Sequence, residues 1–125
     1  MNQRADIESS LLKAYTHSSR SLQEILNDLS GQGHPLITEW QSQNHRCQEL
    51  MDSGSGLTGG DRNRLESLQT TLADPSLKIL HLIMWAGCPS LSRHPHECRR
   101  ILDAMLALMS PETDSFIQLQ VECFR

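Results

Sequence analysis

Cys88, His94, His96 and Cys98 fall within eleven residues and form the densest set of potential metal ligands in this chain. Thiolates and imidazoles suit zinc or copper. A structural zinc site, however, pairs its ligands two to four residues apart at two separate places. This run offers one place, and Pro95 stiffens the dipeptide that sets the rings of His94 and His96 on opposite sides. The competing reading is a helix start, with His94 near the N-cap and Cys98 turned inward as a small apolar group. The sequence favours the helix start. No metal or other cofactor is expected, and Cys88, His94, His96 and Cys98 stay as weak candidates for a metal-binding or thiol-based regulatory site.

Other arrangements are weighed the same way. Gly54-Ser-Gly56-Leu-Thr-Gly59 matches the dinucleotide fingerprint, and Asp74 lies twenty residues past Gly54. That fingerprint works only when a β-strand leads into it and a helix N-terminus meets the pyrophosphate. Here a helical pattern precedes the glycines, so they read as a linker. Arg93, Arg99 and Arg100, with His94 and His96, are the densest basic cluster and read as a solvated face. None of the four cysteines, Cys47, Cys88, Cys98 and Cys123, sits in a nucleophile motif. Neither a serine elbow, a P-loop nor H-E-x-x-H is present. The chain is therefore not expected to be an enzyme. His81 lies in the most apolar stretch and reads as a hydrogen-bonded core histidine.

Those residues must be carried by helices. Leu77 to Trp85 is apolar nearly all round a helical wheel, opened by Asp74-Pro75 and closed by Gly87. Such a helix is either covered on every side or waiting for a partner. Ile7 to Leu29 reads as one long amphipathic helix with a seam at Leu11, Tyr15, Ser18, Leu22, Ile25 and Leu29. Leu12 and Leu26 widen it, Ser18 and Ser19 weaken its middle, and Gly31 and Gly33 stop it, with Gly31 as the expected left-handed C-cap. Pro35 starts a second helix, to about Met51, with Trp40, Asn44 and Cys47 on its stripe. A short connection makes these two an antiparallel αα-hairpin.

Downstream, Leu65, Leu68 and Leu72 mark a helix from Asp61 to Ala73, capped by Thr58 or Asp61. Pro95 opens another that carries Ile101, Leu102, Met105 and Leu106. Ser110-Pro111 signals one more start, with Ser110 as N-cap. Residues 116–124 fit strand alternation as well as a helical face. Helix is favoured, because no second strand exists to pair with.

The fold class expected is all-α, a small bundle of five or six helices. Its parts are an N-terminal hairpin (1–53), a Gly/Ser linker (54–60) and a compact C-terminal helical half (61–125), one domain overall. A chain of 125 residues buries roughly 65% of its extended surface, enough for one modest core. A net charge of −4, with only Lys13 and Lys78 as lysines, argues against a nucleic-acid phosphate binder. No segment is long and apolar enough to span a bilayer, and the N-terminus lacks the pattern of a secretory leader. The expected setting is cytoplasmic and reducing.

Size, acidity and helicity resemble those of spectrin-like three-helix bundles, small helical-repeat proteins and the acidic helical chaperones of bacterial secretion systems. No motif accompanies that resemblance. The functional expectation is a protein-protein interaction module: an adaptor, chaperone or small subunit. It would bind a protein partner, or a second copy, through Leu11, Tyr15, Leu22, Ile25, Leu29 and Trp40. Trp40 ranks above Trp85 there, because its stripe is narrow and interrupted by polar residues.

Overall fold

In the computed structural model residues 3–17, 21–53, 58–86 and 95–123 are described, and all regular structure among them is helical. The helices are α1 (Gln3–His17), α2 (Leu22–Leu29), α3 (Pro35–Ser53), α4 (Gly59–Thr71), α5 (Pro75–Ala86), α6 (Pro95–Leu108) and α7 (Ser115–Glu122). A 3₁₀ turn, Ser30–Gln32, follows α2. The all-α expectation holds, with seven α-helices among the described residues rather than five or six.

The extra helix comes from the N-terminal segment, which is two helices rather than one. Ser21 is extended (φ −71°, ψ 158°) and its hydroxyl accepts the Glu24 N–H at 3.3 Å. A serine that caps a new helix offers the backbone an alternative to continuing the old one. Consequently α1 and α2 are separate rods that pack on each other, and α2 packs on α3. Ser18 and Ser19, expected to weaken the seam, lie outside the described residues.

Local chemistry explains the other boundaries. Gly33 rather than Gly31 takes the left-handed conformation (φ +67°) that stops the 3₁₀ turn. His34 Nδ1 then accepts the Leu36 N–H at 3.1 Å as α3 begins at Pro35. Thr58 and Asp61 form a reciprocal capping box: Thr58 Oγ1 takes the Asp61 N–H at 3.1 Å and Asp61 Oδ2 takes the Thr58 N–H at 3.0 Å. Gly59 and Gly60 therefore open α4 instead of extending the linker, whose residues 54–57 lie outside the described residues. Asp74 Oδ1 caps α5 through the N–H groups of Ser76 and Leu77. Asp114, not Ser110, caps α7, because Ser110 and Thr113 bond to each other in a tight turn before it.

α5 is the central element. Leu77, Ile79, Leu80, Leu82 and Trp85 are all buried, and α6, α3, α7 and α1 pack around them. One apolar core runs through the bundle and takes residues from all seven helices. On α1 it uses Ile7 and Leu11, on α6 Ile101 and Met105, and on α7 Ile117 and Val121. α1 also clamps the corner before α5, since the buried Glu8 carboxylate accepts the N–H groups of Ala73 and Asp74, both at 2.9 Å.

Leu77→Ala should cost about 2–5 kcal/mol of unfolding free energy in urea, because it leaves a cavity against a fully covered site. Leu119→Ala, at a side chain 63% exposed, should change it by no more than about 0.5 kcal/mol.

Candidate functional site

Two features stand out chemically: a buried polar cluster on one side of α5 and an apolar groove on another. The cluster centres on Gln43 of α3 and His81 of α5, both with no exposed surface. His81 Nε2 lies 2.6 Å from Gln43 Oε1, and the Trp85 indole N–H donates to the same oxygen at 3.1 Å. Gln43 Nε2 donates to Glu39 Oε1 at 3.1 Å and to the Arg64 carbonyl at 3.0 Å. On the far side of the ring, Gln69 Nε2 meets His81 Nδ1 at 2.8 Å and donates to the Lys78 carbonyl, also at 2.8 Å.

These bonds orient both amides. Turning either one over would set its carbonyl against another carbonyl. Nδ1 therefore accepts, Nε2 carries the proton, and His81 is neutral. Burial pushes its pKa down to about 3. The ring also meets Trp40 edge-on, with centroids 5.6 Å apart. The sequence reading of His81 as a bonded core histidine matches this geometry.

The polar residue expected on the α3 stripe was Asn44. The structure buries Gln43 instead and leaves Asn44 half-buried. Periodicity alone cannot choose between two adjacent polar residues. The choice falls on the amide that can reach His81 and Trp85.

Ion pairs brace the neighbouring helices. Arg46 of α3 grips Asp61 of α4 with two bonds, of 2.9 and 3.3 Å. Burial pushes the Asp61 carboxyl up, but the bonds from Arg46 and Thr58 outweigh it and hold it below the usual carboxylate range. Arg62 and Glu66 of α4 pair with Glu97 and Arg100 of α6. Arg100, expected as part of a basic cluster, is thereby matched by an acid, as is Arg99 by Asp103.

The groove, about 980 Å³, lies where the end of α1 and the start of α2 face α5 and α7. Leu80, Ile83 and Met84 of α5 form one wall. Tyr15, Leu22 and Phe116 also line the groove, with Asn44, Thr16, His17 and Ser21 completing the lining. No Asp, Glu, Lys or Arg is among these lining residues. Tyr15 donates its phenol hydrogen to Gln120 Oε1 at 2.8 Å and packs 5.8 Å from the Phe116 ring, tying α1 to α7. Phe116 is 49% exposed and Leu119, on the same helix, 63%.

The expected partner-binding residues divide three ways. Tyr15 and Leu22 line the groove. Leu29 is half-buried against the core elsewhere. Leu11, Ile25 and Trp40 are enclosed in this chain's own core, with 0%, 1% and 0% exposure, so they offer a partner no surface in this conformation. The seam they mark is covered by α3 and α5 rather than left open.

Ile83, Met84 and Phe116 were missed as surface residues. Their signal lay in the apolarity of α5, which exceeds what its packed faces need, and in the Phe116–Ile117–Gln120 helical face. Of the weak metal candidates, Cys88 and His94 lie outside the described residues. His96 is exposed in the first turn of α6, Cys98 is half-buried, and among the described residues no three potential ligands converge. No described helix is long and apolar enough to cross a membrane.

The described residues form an all-α bundle with a largely apolar cleft between α1, α2, α5 and α7. Comparison with protein-family models, with curated proteins and with solved structures returns no match for this chain.

Gln43→Leu should leave the His81 and Trp85 donors without an acceptor, at about 1–3 kcal/mol for each orphaned group. Chemical denaturation followed by tryptophan fluorescence measures that loss.

Proposed function

We propose that this chain is a non-catalytic protein-interaction module that takes an apolar segment of a partner protein into the α1–α2/α5/α7 groove. The observation that carries this reading is the concentration of partly exposed Ile83, Met84 and Phe116 around a cleft whose described lining holds no Asp, Glu, Lys or Arg, on a molecule with a net charge of −4. Aromatic and methionine side chains are enriched in the buried centres of protein interfaces, where charged residues are depleted. Methionine adapts its shape to the side chain that meets it. A helix with apolar residues at i, i+3, i+4 and i+7 fits such a cleft, and its polar face stays in water. The exposed thiol of Cys123 accords with work in a reducing compartment.

Phe116→Glu and Met84→Glu place a carboxylate in the cleft at positions that are not fully buried. Each should weaken a purified partner's affinity at least tenfold by isothermal titration, while the far-UV circular dichroism stays helical. Concentration-dependent dimerisation that both substitutions abolish would mean that the occupant is a second copy. Partner binding that ignores both substitutions, or a monomer that binds no apolar dye, would overturn the reading.

A further inference from the structure

His81 stands where three helices meet. Gln43 reaches it from α3 and Gln69 from α4, while its own helix supplies Trp85, which donates to the same Gln43 oxygen, and the Lys78 carbonyl, which holds Gln69. We infer that His81 is an acid-sensitive latch, in which one proton taken up by the ring releases α5 from α3 and α4.

The donor pattern carries the argument. In the folded chain Nε2–H is already spent on Gln43 Oε1, so an added proton must go to Nδ1. Nδ1 faces the Gln69 amide hydrogens at 2.8 Å, and protonation would set donor against donor. Gln69 cannot escape by turning over, because its other hydrogen is held by the Lys78 carbonyl at 2.8 Å. Gln43 is held likewise by Glu39 and the Arg64 carbonyl. An imidazolium in this site finds no acceptor for its second proton among the described neighbours, and its ring has no surface exposed to solvent.

The charged groups around α5 do not relieve it. From α3, Glu39 is one amide away and already bonded by Arg64 of α4 at 3.1 Å. From α6, Glu97 and Arg100 are engaged with Arg62 and Glu66 of α4. From α1, Glu8 is turned to the Ala73 and Asp74 N–H groups, two turns before His81. From α7, Asp114 is committed to its own helix cap. The remaining contacts of α6 and α7 with the core are apolar: Ile101, Met105, Ile117 and Val121.

The direction of the pH effect follows. Folded, His81 binds no proton above about pH 3, whereas the opened chain binds one below the ordinary value of 6.5. Through that window the open state holds the extra proton, so opening becomes easier as the pH falls, about tenfold per unit. His34 Nδ1 also accepts a backbone N–H, from Leu36, and must be separated from this effect.

The test is urea unfolding of the full chain at pH 7, 6 and 5, read by tryptophan emission and circular dichroism. The unfolding constant should rise about tenfold per unit below pH 6. Trp40 and Trp85 should report the transition, since both flank the ring. His34→Asn keeps an acceptor at that cap and should leave the slope intact. Gln69→Glu gives Nδ1–H an acceptor and should flatten the slope, even if the protein is weaker at pH 7. Nitrogen NMR of the unaltered chain supplies a reading that needs no variant: His81 should be the neutral Nε2–H tautomer in the folded state at pH 5. A protonated His81 in the folded chain at pH 5, a flat slope in the unaltered chain, or a slope that Gln69→Glu does not change would each overturn the latch.

Discussion

One oxygen atom organises the interior of this bundle. Gln43 Oε1 accepts from both His81 and Trp85, and neither donor can reach water. An apolar core of leucines and isoleucines is non-directional, and many registers of α5 against α3 would bury similar area. The Gln43 carbonyl admits one, because any slip along the helix orphans two buried donors. Gln69 does the same from α4, through His81 Nδ1 and the Lys78 carbonyl. Both ring nitrogens of His81, the Gln43 amide and the Trp85 indole N–H are bonded, so these polar groups set the register without leaving one another unpaired.

The rest of the architecture follows from holding α5 in that place. Its apolarity extends round most of its circumference, while its neighbours cover only part of it. α6 and α7 pack on α5 and share its core, while Ile83 and Met84 stay partly exposed and line the groove. The uncovered remainder becomes the wall of the groove. α1 and α2 are separate helices, and Tyr15 and Thr16 of the first and Leu22 of the second line the groove. The apolar groove and the polar cluster thus lie on different faces of one helix, and the same bonds that fix its register fix the groove wall.

Much of the framework was legible in the residues. Pro35, Pro75 and Pro95 each begin a helix, and Leu65, Leu68 and Leu72 mark the buried face of α4 as their spacing implies. The burial and bonding of His81 could be anticipated, because a lone imidazole in an apolar helix must find a partner. The candidate site was less legible. Leu11, Ile25 and Trp40 carry the same pattern whether the surface that covers them is another chain or this one. Amphipathicity states that a face is covered but not by what. Gly33 against Gly31, Asp114 against Ser110 and Gln43 against Asn44 are choices between chemically similar neighbours. In each, a capping bond, a left-handed turn or a distant amide decided the outcome.

The amino-acid order alone determined the helical class, the positions of most helix starts and the all-round apolarity of α5, because these depend on side chains within a few residues of one another. Tertiary structure decided which seams the chain covers for itself, which amide meets His81 and where an apolar cleft stays open. Those outcomes depend on groups as far apart in sequence as Gln43 and His81 or Tyr15 and Gln120, whose meeting is a property of the packed bundle and of no local pattern.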